Sequence, residues 1–244
     1  MFHVISNDIS GKGAKKGNTM NKRIRKKKEK NHFRPVVTVK NRSRNMNIHF
    51  IWDKRIHRNG VAGFILADGL PGMICVRVLK PHVLLEKISG SVFKIDDGSG
   101  NYMITISRST YEAIHSDSKE RKRAAYFMIL HEIGHVINGD NEDEEEIENA
   151  NFDRGHLCLE GKVIVQEYRA DAFAASVMGN DAVIRALNLV AQEEYNILKE
   201  CGLEEDESLL KSCRELLARA ELIRRLKKGE VISERETMWG TEAA

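Results

Sequence analysis

Between residues 45 and 106 the apolar residues come in short runs, NIHFIW, VAGFIL, MICVRVL, VFKI and YMITI. Asn59-Gly60, Asp68-Gly69 and DDGSGN punctuate them with turn chemistry. Runs of this length predict the strands of a small, largely antiparallel sheet. After residue 117 the period becomes helical. Asp117 with Glu120 three residues on reads as a capping box, and Gly139 ends the helix that starts there. Three more helices are expected over about 161–178, 181–200 and 205–228. The last carries Leu209, Cys213, Leu216, Ala220 and Ile223 on one stripe and ends in Lys227, Lys228 and Gly229, which assigns it a packing role. Strands followed by helices predict an α+β class. No internal repeat marks a solenoid.

Residues 1–44 hold Gly, Lys, Asn and Arg with few large apolar side chains, so burial there cannot offset the entropy of ordering. They are expected to form a disordered tail, with the folded domain at 45–230 and a short C-terminal tail at 231–244. A chain of 244 residues with 41% hydrophobic residues can build one sizeable core. No stretch approaches the roughly 20 apolar residues of a membrane span, and the N-terminus lacks the apolar segment of a signal peptide. The reading is a soluble, cytoplasmic protein. Cys75, Cys158, Cys201 and Cys213 lie far apart with no Cys-x-x-Cys pair, which argues against a cysteine-rich zinc site or a disulfide framework.

The formal net charge of +3 hides an asymmetry, with KRIRKKKEK basic at 22–30 and DNEDEEEIE acidic at 140–148. The basic run is read as a solvated tail, with nucleic-acid contact as the other reading. The acidic run is read as a solvated loop.

The chemistry lies in AAYFMILHEIGHVINGD, residues 124–140, where His131, Glu132 and His135 interrupt an apolar run. Histidines four residues apart on a helix share a face and can meet one ion. Glu132 lies about 100° round from His131, beside such an ion and placed to take a proton from water. With 9 histidines in 244 residues the His-Glu-x-x-His pattern arises by chance in roughly 3% of such chains, so a second signal is required. QEYRADAFAASVM, residues 166–178, supplies it. Ile164, Glu167, Asp171, Ala174 and Met178 fall on one stripe, and carboxylates on an apolar face need cations, a metal or hydrogen-bond donors. A metal between the two helices accounts for both anomalies. His131, His135 and Glu167 would be the ligands, leaving a position open, and Asp171 would accept the outer ring N–H of a ligating histidine. Position 141 is Asn, which excludes the long motif with a third histidine, and Asp140 sits one residue short of its aspartate version. His156 and Glu160 stay open as other third ligands. Zn²⁺ suits two imidazoles and one carboxylate best among abundant metals.

HEIGH followed by EYRADAFAA resembles the two-motif pattern of gluzincin metallopeptidases. The gap of about thirty residues and the preceding ITIS…RKRAAYFMILHEIGHVI look most like the ImmA/IrrE-type domain, a likeness covering about 102–178. EYRAD is equally similar to the prenyl-protease and HtpX-like peptidases, which are membrane proteins. The resemblance implies a sheet packed on a helical zincin core, zinc-dependent hydrolysis of peptide bonds with Glu132 as base, and a specific intracellular protein substrate such as a repressor. It also implies that the substrate backbone lies along an edge strand, for which NYMITIS at 101–107 is the candidate. The rival from another class is a non-catalytic regulatory protein with a structural metal and a nucleic-acid-binding basic tail.

Overall fold

The computed structural model describes residues 36–41, 44–53, 55–70, 72–80, 87–140 and 161–230. Their architecture is α+β, as the alternation of runs predicts. Six strands, β1 (Val36–Asn41), β2 (Met46–Trp52), β3 (Val61–Ala67), β4 (Ile74–Val78), β5 (Gly90–Lys94) and β6 (Tyr102–Ile106), make one sheet in the spatial order β1-β2-β3-β4-β6-β5. β4 and β6 run parallel, and the other neighbouring pairs are antiparallel. The helices are α1 (Arg108–His115), α2 (Lys119–Asn138), α3 (Gly161–Met178), α4 (Asn180–Glu200) and α5 (Glu207–Lys227).

The period of two along β2 buries Met46, Ile48, Phe50 and Trp52 and leaves the residues between them half-exposed. Ile48, Phe50, Ile65, Ile74, Ile104 and Ile106 from the sheet, with Phe127, Leu130 and Ile133 from α2, are fully buried in one core. Trp52 Nε1 donates to Tyr126 Oη at 3.1 Å, and the Phe50 ring meets Tyr126 edge-on at 5.2 Å, so α2 is seated on β2 by aromatic packing and a buried hydrogen bond.

Three expectations need correction. The expected tail runs to residue 44, yet Val36–Asn41 pairs in full register with β2, and Asn41, itself buried, donates to Ser176 Oγ on α3 at 2.9 Å. The β-branched run Val36-Val37-Thr38-Val39 has strand character that the surrounding basic composition masks. NYMITIS is not an edge strand: β6 lies between β4 and β5, and the edge next to α2 is β5. Helical structure also starts earlier than residue 117, at α1, and the N-cap of α2 is Ser118, whose hydroxyl accepts from Arg121 N at 3.2 Å. The expected ends at Gly139, Met178 and Glu200 coincide with those observed.

The start of β5 is tethered rather than loose. Ser107 Oγ donates to Lys87 O at 2.6 Å, Ser107 N to Ser89 O at 3.1 Å, and Ser89 N to Thr110 Oγ1 at 2.8 Å. The first turn of α1 therefore fixes the edge strand against the helical layer. Cys75, Cys201 and Cys213 are free thiols, and no helix among the described residues is long and apolar enough to cross a membrane. The basic run at 22–30, the acidic run beyond Asp140, Cys158, His156, Glu160 and the tail at 231–244 lie outside the described residues.

Candidate metal centre

α2 and α3 come together at a glycine. A Cβ built on Gly134 would lie 2.8 Å from Ala170 Cα and 3.0 Å from Ala170 O, so the two backbones approach more closely there than any side chain allows. That approach brings one turn of α2, bearing His131 and His135, against the turn of α3 bearing Glu167 and Asp171.

The structure gathers His131, His135 and Glu167 so that one ligand atom from each lies within 4.8 Å of the others. His131 Nε2 and His135 Nε2 are 3.1 Å apart, His131 Nε2 is 3.1 Å from Glu167 Oε2, and His135 Nε2 is 3.4 Å from Glu167 Oε1. A tetrahedral ion with arms of about 2.0–2.1 Å has ligand atoms roughly 3.3 Å apart, so these separations fit one. Two N–H groups facing each other at 3.1 Å would repel, so at least one of the two imidazoles turns a lone pair inward. The donor set suits zinc.

Each imidazole is held from behind. His131 Nδ1 donates to Asp171 Oδ1 at 2.8 Å and His135 Nδ1 to Asp140 Oδ2 at 3.0 Å. Carboxylates in those places fix the tautomer that presents Nε2 to an ion. Asp140 reaches its place because Gly139 is left-handed, φ 76°, and folds the chain back so that Asp140 N donates to His135 O at 3.0 Å.

A further group comes from α5. Arg219 donates through Nε to Asp171 Oδ2 at 2.8 Å and through Nη2 to Asp171 Oδ1 at 2.7 Å, while its Nη1 lies 2.8 Å from Glu167 Oε2. Glu132 is buried on the sheet side of the cluster, where a Cβ added to Gly90 of β5 would sit 3.5 Å from its Oε1. The electrostatics follow from burial and neighbours. Burial raises the Glu132 carboxyl above its ordinary range, against the pull of His131 and His135. Burial opposes the charge of Glu167 and Asp171, but Arg219 and His131 outweigh it and hold both carboxyls low. Burial also opposes a charged His135, yet its bonds to Asp140 and Glu167 push it up to about 10.

Asp140 and Arg219 carry structure that the sequence reading did not assign them. The sequence places Asp140 at the start of the acidic run and one residue short of a ligand position. Arg219 lies beside the apolar stripe of α5, and the signal that could have found it is charge balance, since two carboxylates on an apolar face call for a cation, a metal or hydrogen-bond donors. Tyr168, next to Glu167 in sequence, is partly buried and packs against the core. No family model, curated protein or solved structure matches the chain.

Proposed function

We propose that the protein is a zinc-dependent endopeptidase that cuts a specific protein substrate. The observation that carries this reading is the arrangement of two imidazoles and one carboxylate converging from two helices, each imidazole backed by its own carboxylate, with Glu132 buried beside the set and outside it. His131, His135 and Glu167 would hold the metal. Zinc bound there would supply Lewis acidity, to polarise a carbonyl and to make a water acidic near neutral pH.

The chain's own residues do the rest. Glu132 accepts the proton of the attacking water at its carboxylate and returns it to the departing amine nitrogen. Asp171 and Asp140 keep the two imidazoles in the binding tautomer. β5, an edge strand among the described residues, whose first residue, Gly90, faces Glu132, would pair its outer main-chain groups with an extended peptide, and the absence of a side chain at Gly90 leaves room beside the base. Main-chain pairing tolerates many side chains, so selectivity for one protein must arise outside this strand.

The sequence likeness to ImmA/IrrE-type domains supports the same reading and suggests a repressor or other regulator as substrate. A structural metal in a non-catalytic protein would be closed by a fourth protein ligand. Among the described residues three groups converge.

The experiment is Glu132→Gln. It should keep about one zinc per chain by elemental analysis and lose roughly 10²–10⁴-fold in peptide hydrolysis. Unchanged hydrolysis in that variant, or a wild-type protein without zinc after purification free of chelators, would overturn the proposal.

A further inference from the structure

Arg219 sits where one guanidinium both balances two buried carboxylates and can hold them at fixed angles. Its side chain is 11% exposed, between Asp171 at 1% and Glu167 at 14%. The fork of Nε and Nη2 closes on both oxygens of Asp171, and Nη1 remains for Glu167 Oε2. Asp171 in turn accepts from His131 Nδ1, and Arg219 Nη2 lies 3.2 Å from that same nitrogen because both donate to Asp171 Oδ1. One side chain of the last helix thus reaches two of the three metal-binding groups, Glu167 directly and His131 through Asp171.

We propose that Arg219 is a positioning residue for the metal site, setting the orientation of Glu167 and Asp171 so that metal affinity depends on α5. The inference rests on the metal-site reading above. Two effects of a guanidinium oppose each other here. Its charge repels a cation, and its fork fixes the groups that bind one. The repulsion is offset because Arg219 is matched with two carboxylates, which leaves the trio net negative and still attractive to a dication. The orienting effect remains, since without the fork Glu167 and Asp171 are free to turn about their terminal bonds. Docking of α5 does not by itself require this residue, because Cys213, Ala220 and Ile223 of the same helix are buried in the core region. The arrangement serves the site.

The test compares the full-length wild type with Arg219→Met, Arg219→Lys and Ile223→Ala. Zinc affinity is read by competition with a chromophoric chelator, cobalt(II) absorption reports coordination geometry, and melting temperature of the metal-free protein reports the fold. Arg219→Met should weaken zinc binding about 10–100-fold and alter the cobalt spectrum. Arg219→Lys should fall between, because a point charge reaches one carboxylate and cannot fork two. Ile223→Ala should lower the melting temperature and leave affinity and spectrum in place. Should Arg219→Met fail to fold, Arg219→Lys carries the comparison. Zinc affinity in the folded Arg219 variants equal to or above that of the wild type would overturn the proposal. So would an equal loss of affinity in Ile223→Ala, which would make the effect one of helix docking. A wild type that binds neither metal would instead overturn the metal-site reading beneath it.

Discussion

Replacing Gly134 with Ala puts a single methyl at the closest approach of α2 and α3. In an ordinary helix this change stabilises, by about 1 kcal/mol of propensity. Here the new Cβ would lie 2.8 Å from Ala170 Cα, 3.0 Å from its carbonyl oxygen and 3.2 Å from its Cβ, against an ordinary contact that begins at 3.4 Å. The first two neighbours are backbone, so no side chain can swing aside, and the helices must part by about 0.6 Å, the difference between 3.4 and 2.8 Å. The candidate ligands straddle the same seam. A shift of that size carries the 2.8 Å bond from His131 Nδ1 to Asp171 toward the limit of a hydrogen bond. It also exceeds the roughly 0.2 Å tolerance of a metal–ligand distance. Overpacking of about 1–3 kcal/mol against 1 kcal/mol of propensity leaves a net loss of up to about 2 kcal/mol, or a few degrees in melting temperature for a domain of this size. Zinc affinity should fall about tenfold or more. Calorimetric melting of the metal-free protein and chelator competition measure the two effects. An Ala variant that melts higher than wild type and binds zinc equally well would show that the helices do not meet at 134 and 170. Gly134→Val should be worse on both counts.

Other outcomes follow from the same geometry. Asp140→Asn should weaken zinc binding about 10–100-fold by chelator competition with little change in melting temperature, because it loosens the His135 ring and leaves the core alone. Removing residues 1–35 should leave the melting temperature in place. Removing 1–44 should lower it by at least about 5 °C, because it strips β1 from β2 and with it buried Val39 and the bond from Asn41 to Ser176. Apparent zinc affinity should rise with pH. His135 in the metal-free fold is pushed up to about 10, so below that pH a proton occupies the nitrogen that must bind the ion. Zinc-binding enthalpies that are the same in buffers of different ionisation enthalpy would refute that proton release.

The parts of this molecule legible in the sequence are those whose signal is local. Apolar runs of strand length bounded by glycine turns locate β2 to β6, and carboxylates on an apolar stripe single out Glu167 and Asp171, because each pattern repeats within one element. β1 shows the limit of that method: its four β-branched residues sit in a basic stretch, and what makes them a strand is the pairing with β2. The same holds at the edge of the sheet. Chain order suggests that the last strand before the helices is outermost, but β5 hydrogen-bonds outside β6, and only topology shows it. Gly134 reads as an unassigned position inside His-Glu-x-x-His until Ala170 is placed against it. Arg219 is the hardest to see, since it lies 48 residues from its partner Asp171 on a helix whose pattern speaks only of packing. Its role is arguable once the two carboxylates are placed. Glu167 and Asp171 bring two negative charges to one face, and an ion shared with two neutral imidazoles could approach only Glu167 directly. Asp171, buried completely and serving His131 through one oxygen, needs a donor for the other, and a forked guanidinium from a third helix meets that need while holding Glu167 as well.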